Sequence, residues 1–209
     1  MRVAVFPIVQ LVALPGETLS LHIFEPRYRT MIHECQQNKI PLGVSLPKHV
    51  ISSGSQDKTS EEINNILNTN HDIYEPHSVF GCGEFEIKEI LNDGRILLDL
   101  EIKWKVQIKK MLQTLPYYIA ETEMIESIGN SSEASLSSMQ RLKSLLEEVI
   151  GEINANLKVH VLSEIDNSSP CESLALALSL IKIPSENKQV LLEQENIDKR
   201  IKLFCKYIE

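Results

Sequence analysis

No stretch of this sequence approaches the roughly 18 uninterrupted apolar residues that crossing a bilayer requires. The chain opens on the strand-like RVAVF, with no apolar region followed by a small-residue cleavage site, so no secretory signal is expected. Cysteine is sparse and scattered: Cys35, Cys82, Cys171 and Cys205 show no CxxC spacing. Without an export signal they read as free buried thiols, and a cytoplasmic location is expected. An excess of positive charge is also missing, since the formal net charge is −8 and the pI about 5.3. Such a chain gains no electrostatic help from a phosphate backbone, which argues against nucleic acid. Lys103, Lys105, Lys109 and Lys110 form the single candidate basic patch.

Signatures of chemistry are absent as well. The six histidines, His22, His33, His49, His71, His77 and His160, never stand four residues apart, and there is no HExxH. His33, Glu34 and Cys35 are adjacent, so a helix would point them in three directions, away from a shared ion. No metal site and no cofactor are expected. Neither GxxxxGK[ST] nor GxGxxG occurs, and Gly81-Cys82-Gly83 reads as a hairpin or bulge pair instead of a phosphate cradle. There is no GxSxG elbow; a Ser-Lys pair or Cys82 activated by a distant His77 stays open as an unrecognised hydrolase. No catalytic residue is assigned.

What the chain does contain is a division of pattern. With 209 residues, 43% hydrophobic content and a mean hydropathy of −0.10, it can bury one large core or two small ones. Up to about residue 125 it is β-like. Ile96, Leu98, Leu100, Ile102, Trp104, Val106 and Ile108 are apolar at every second position, which predicts one strand, or two across a bend, with one buried face. The preceding Asn92-Asp93-Gly94-Arg95 carries a tight-hairpin signal, with Phe85–Ile90 as the partner strand. Further strands are expected at Arg2–Phe6, Leu19–Ile23, Ile40–Leu46 and Tyr117–Met124. Prolines between them favour short strands in a curled or barrel-like sheet.

One helix interrupts, opening at Pro26 with Tyr28, Met31, Ile32 and Cys35 on one face. Residues 52–72 are Ser/Asn-rich and read as a surface insertion with at most a turn or two of helix. Beyond about residue 126 the pattern is helical. Leu142, Leu146, Val149, Ile150, Ile153 and Leu157 predict one long helix, and Ser169-Pro170-Cys171-Glu172 is a capping box opening a helix that Pro184 ends. Short helices follow over 185–193 and from Asn196 to the end. The division is therefore a β-rich region over 1–125 and a helical bundle over 126–209, an α+β fold.

Residues 19–31, LSLHIFEPRYRTM, concentrate charge in an otherwise buried-looking run. Leu19, Leu21 and Ile23 alternate with Ser20 and His22, which places His22 outward. Glu25 suits a helix N-terminus, and Arg29 lies four residues on, in reach of an ion pair, leaving Arg27 to reach across to other elements. On this reading Glu25, Pro26, Arg27 and Arg29 are structural, a joint between strand and helix.

The run VFPIVQLVALPGETLSLHIFEPRYRTMI from Val5 resembles the start of the Lon N-terminal, substrate-binding domain family. Phe6-Pro7, Leu14-Pro15-Gly16 and Leu21–Arg29 carry the likeness, which continues through Asp93–Arg95, Leu180–Pro184, Leu191-Leu192 and Asp198-Lys199-Arg200. The sequence departs from the family at Ile102 and Lys105-Val106, where a glycine and an arginine-aromatic pair are usual. It is also out of register around Gly81. The ATPase and Ser-Lys protease modules of full-length Lon have no counterpart here, so neither ATP hydrolysis nor proteolysis is expected.

The resemblance implies a PUA-like small β-barrel with one inserted helix, followed by a C-terminal helical bundle. It also implies contact with polypeptide substrates or a proteolytic machine, in the manner of an ATP-independent quality-control module. Val12, Leu14, Pro15, Phe24 and Tyr28 are the candidate protein-binding residues, with core packing the competing role for each. An apolar groove between barrel and bundle is the feature to seek. RNA binding, a use of other PUA-like barrels, is the alternative.

Overall fold

The two-residue repeat from Ile96 becomes a single long strand, and that strand organises the β-rich half. In the computed structural model, which describes residues 1–52, 73–125, 136–151 and 155–208, strands β1 (Arg2–Pro7), β2 (Thr18–Ile23), β3 (Leu42–Ser45), β6 (Val79–Ile90), β7 (Ile96–Gln113) and β8 (Tyr118–Met124) form one sheet in the order β2-β7-β6-β3-β1-β8. β8 also pairs with β7, so the sheet closes on itself through β7, β6, β3, β1 and β8. The closure is possible because β7 serves two partners on one edge. Its first half pairs with β2, from Thr18↔Glu101 to Ile23↔Ile96, and its second half pairs with β8, from Val106↔Met124 to Gln113↔Ile119. β2 is left as an outer strand.

The Asp93-Gly94 signal forms the expected β6–β7 hairpin. Gly94 takes φ +81, and the Leu91 and Arg95 backbones close the turn through a 2.8 Å hydrogen bond. β6 is irregular where Cys82 meets Gly83, the bulge expected of that glycine pair. A Cβ at Gly83 would lie 1.7 Å from the Glu101 carbonyl oxygen, so no other residue fits.

Helix α1 (Pro26–Asn38) closes one side of the barrel, and its Tyr28, Met31, Ile32 and Cys35 pack with Ile23, Ile96, Leu98, Leu100 and Ile102. A second pair of strands, β4 (Pro47–Ser52) and β5 (Ile73–Pro76), was not evident in the sequence. They flank residues 53–72, so the expected insertion lies outside the described residues apart from Ser52, the end of β4.

The helical half corrects one expectation. The apolar stripe read as one long helix is divided between α2 (Leu136–Gly151) and α3 (Ala155–Asn167). They fold back on each other, since Lys143 Nζ donates to both carboxylate oxygens of Asp166 at 2.7 Å. The capping box is formed as expected at α4 (Pro170–Leu180): Ser169 Oγ accepts from the Glu172 amide, and the Glu172 carboxylate accepts from the Ser169 amide. α5 (Ser185–Glu193) and α6 (Ile197–Ile208) complete the set.

The helices share their core with the barrel. Leu142, Leu146, Phe204 and their neighbours form one buried cluster with Val12, Leu14 and Leu46 from the β-rich half. Burying each such side chain stabilises the fold by about 1.5–3 kcal/mol. Polar contacts reinforce the seam. The Glu17 carboxylate accepts from the Leu14 amide at 2.6 Å and from Lys188 Nζ at 2.7 Å. Gln189 Nε2 donates to the Val79 carbonyl at 3.0 Å.

Candidate functional site

Where the barrel meets the helices, Val12, Leu14 and Leu46 are buried in the shared core. A groove lies at the joint between β2 and α1. A groove of about 420 Å³ is lined by β1's Phe6 and Pro7, the following Ile8, Val9 and Leu11, β2's Leu21 and His22, then Phe24, Glu25, Arg27, Tyr28 and β5's Tyr74.

Its floor is tightly organised. Phe6 and Tyr28 rings stack with centroids 4.2 Å apart, and the Arg27 guanidinium carbon sits 4.6 Å from the Tyr28 ring centroid. Burial pushes the Tyr28 hydroxyl up to about 12, although Arg27 beside it pulls the other way, so it is neutral and unreactive near pH 7.

The predicted ion pair of Glu25 with Arg29 does not form. Glu25 bonds Arg27 Nε at 2.8 Å, with both side chains largely covered. Arg29 turns away and donates from Nη1 to the Asp93 carbonyl at 2.9 Å, fastening α1 to the β6–β7 hairpin. The exchange is physical. At the N-cap Glu25 has extended backbone (φ −69, ψ 132), so helical i,i+4 geometry does not apply to its side chain. Glu25 caps through its backbone instead, its carbonyl accepting from the Tyr28 and Arg29 amides. Glu25, Arg27 and Arg29 thus each find a partner within the chain.

The candidate binding residues separate by exposure. Val12 and Leu14, each 2% exposed, and Tyr28 belong to the interior, where the first two serve the helical core. Pro15 is half-buried and lies outside the groove's lining. Phe24 is 58% exposed and Val9 55%, both lining the groove, and His22 meets Phe24 edge-on at 6.3 Å. Sequence reasoning missed Phe6, Val9, Leu11 and Tyr74. The first three sit in the run from Val5, but only the fold brings Tyr74 to them.

Cys35, Cys82 and Cys171 are poor nucleophiles. Burial pushes Cys35 and Cys82 up to about 12 and raises Cys171, and Cys82 is enclosed with Val3, Val5, Phe80 and Val106. His77 points its Nδ1 toward Glu193, 3.5 Å away. Among the described residues no group of three or more His, Cys, Asp or Glu side chains could hold a metal ion, and no helix is long and apolar enough to cross a membrane.

The lysine patch is dispersed by the structure. Lys103 pairs with Glu84 and Glu101, and Lys109 pairs with Glu123. Lys105 is 3% exposed and reaches the Gln194 carbonyl at 3.5 Å, beside Arg200, which donates to the same oxygen at 2.7 and 3.2 Å. Desolvation, with Arg200 adding to it, lowers Lys105 to about 8. Of the four lysines, Lys103 and Lys109 are thus engaged by carboxylates and Lys105 is buried.

Comparison with known proteins agrees with this geometry. No curated protein matches the sequence. The structure resembles a Lon N-terminal domain protein from Xanthomonas campestris, with a TM-score of 0.69, 17% identity, and 100% of this chain and 99% of that one covered. It likewise resembles the N-terminal domain of the Mycobacterium avium complex Lon protease, with a TM-score of 0.70, 12% identity and coverage of 100% and 98%. At such identities these likenesses speak for the fold alone. The family model for the substrate-binding domain of the ATP-dependent protease La (LON) matches residues 2–209, and the chain belongs to that family.

Proposed function

We propose that this chain is a non-catalytic module that binds polypeptide segments at the groove between β2 and α1. The carrying observation is a groove that combines two exposed apolar side chains, Phe24 and Val9, with the Phe6–Tyr28 ring pair and the mutually neutralising pair of Glu25 and Arg27. Exposed apolar area beside a rigid wall favours apolar side chains of an unfolded chain, and nothing in the groove is activated for bond-making. Membership of a substrate-binding family supports the same reading. Delivery of bound chains to a proteolytic machine is the role we assign it. Four free cysteines suit a reducing compartment, the cytoplasm.

The test is titration of a labelled, permanently unfolded model protein against the wild type, Phe24→Asp and Val9→Asp. Both side chains are exposed, so the variants fold. Wild-type binding that each variant weakens by about tenfold or more is expected from losing a central apolar contact. Absence of wild-type binding, or variants that bind equally well, refutes the proposal.

A further inference from the structure

The groove has a neighbour that says how a bound chain would lie. β2 ends the strand order and pairs with β7 alone. The direction of its backbone groups follows from Ile102, whose amide donates to the Glu17 carbonyl and whose carbonyl accepts from the Gly16 amide, both at 2.9 Å. Ile102 therefore faces the β2 side of β7. By the two-residue repeat of an antiparallel ladder, so do Leu100, Leu98 and Ile96. Their partners Leu19, Leu21 and Ile23 spend their amides and carbonyls on β7. Those of Thr18, Ser20 and His22 point the other way, and among the described residues no backbone group of another element bonds them. All three residues are exposed. This edge runs into the groove, which Leu21 and His22 line.

Charge beside this edge is one-sided. Across β7 and β6 stand four carboxylates, Glu84, Glu86, Asp99 and Glu101, sharing two ammonium groups. Lys88 serves Glu86 and Asp99, while Lys103 serves Glu84 and Glu101. Asp99 and Glu101 lie directly opposite Ser20 and Thr18, so the surplus negative charge borders β2.

We infer that the free edge of β2 takes up an extended polypeptide segment as an added strand, one with basic side chains alternating with large apolar ones. Backbone hydrogen bonds to Thr18, Ser20 and His22 fix its direction. Its apolar side chains follow Leu21 into the groove toward Phe24, and its basic side chains lie on the face of Asp99 and Glu101. This rests on the groove being the binding site and adds the geometry and composition of what enters it.

The probe is a labelled eight-residue peptide alternating lysine with valine and phenylalanine, read by fluorescence anisotropy against the intact wild-type protein. Two further peptides carry N-methyl groups on one or the other alternate set of amides. In strand addition one set faces β2 and the other faces solvent. One methylated peptide should lose about tenfold or more in affinity while the other stays within about twofold. Equal losses, or none, overturn strand addition, and the groove reading stands if the unfolded model protein still binds through Phe24. A version with glutamate for lysine should bind more weakly at low salt, the gap closing as salt rises. Equal or tighter binding of the acidic peptide overturns the charge assignment.

Discussion

Lys105→Met should stabilise this protein, although it deletes a side chain that makes a hydrogen bond. Lys105 is buried where the barrel meets the helices, with Arg200 beside it, and its ammonium is held at about 8 against an ordinary 10.5. Burial is the main cause, Arg200 adds to it, and Glu195, Cys171 and Glu193 oppose it. Two and a half pH units at 1.36 kcal/mol each make the charged form cost the folded state about 3 kcal/mol. Between pH 8 and 10.5 the unfolded chain binds the proton and the folded chain does not, so stability rises with pH across that window. Below pH 8 both states are protonated and the whole penalty is present.

Methionine fills a similar volume without the charge. The Gln194 carbonyl keeps both bonds from Arg200, so no acceptor is orphaned. Equilibrium urea unfolding at pH 7 should show the variant more stable by about 2–3 kcal/mol, and at pH 9.5 by about 1 kcal/mol. Comparing the two proteins at each pH cancels every other titrating group. A variant less stable than wild type at pH 7, or an advantage that does not shrink at pH 9.5, refutes the account of Lys105 as a charge buried at net cost.

Other outcomes follow from the same structure. Gly83→Ala forces a Cβ onto the Glu101 carbonyl and should cost several kcal/mol, on the order of the largest single-site effects, read as loss of soluble folded protein or a collapsed melting temperature. Ser169→Ala breaks the capping box of α4 and should lower unfolding free energy by about 1 kcal/mol, while Ser169→Asp should restore most of it. We also propose that the boundary near residue 125 divides two architectures that do not fold separately. A 1–125 fragment exposes Val12, Leu14 and Leu46, and should show no cooperative unfolding by circular dichroism; a sharp transition would refute this.

Much of the fold was legible because its signals are local. Alternation from Ile96 marked β7, Asp93-Gly94 marked its hairpin, and Ser169 with Glu172 marked the start of α4. The failures fall where geometry between distant residues decides. The apolar stripe through Leu142 and Ile150 into Val161 is continuous in period across two helices, so periodicity alone could not announce that they fold back. β4 and β5 are short, lack a sustained two-residue alternation and carry Pro47 and Pro76 at their ends, and they pair with each other. The site shows the same division. Sequence located the β2–α1 joint, the outward His22 and core packing as a role for Val12 and Leu14, but the partner of Arg27 and the arrival of Tyr74 depend on tertiary packing.

The bond between Glu17 and Lys188 joins positions 171 apart in the chain. During synthesis at about 5–20 residues per second, the loop carrying Val12, Leu14 and Glu17 waits roughly 10–35 s before the helices that cover it exist. That loop is thus made well before the helices that shelter it, and a nascent chain carries its apolar side chains uncovered until those helices have left the ribosome.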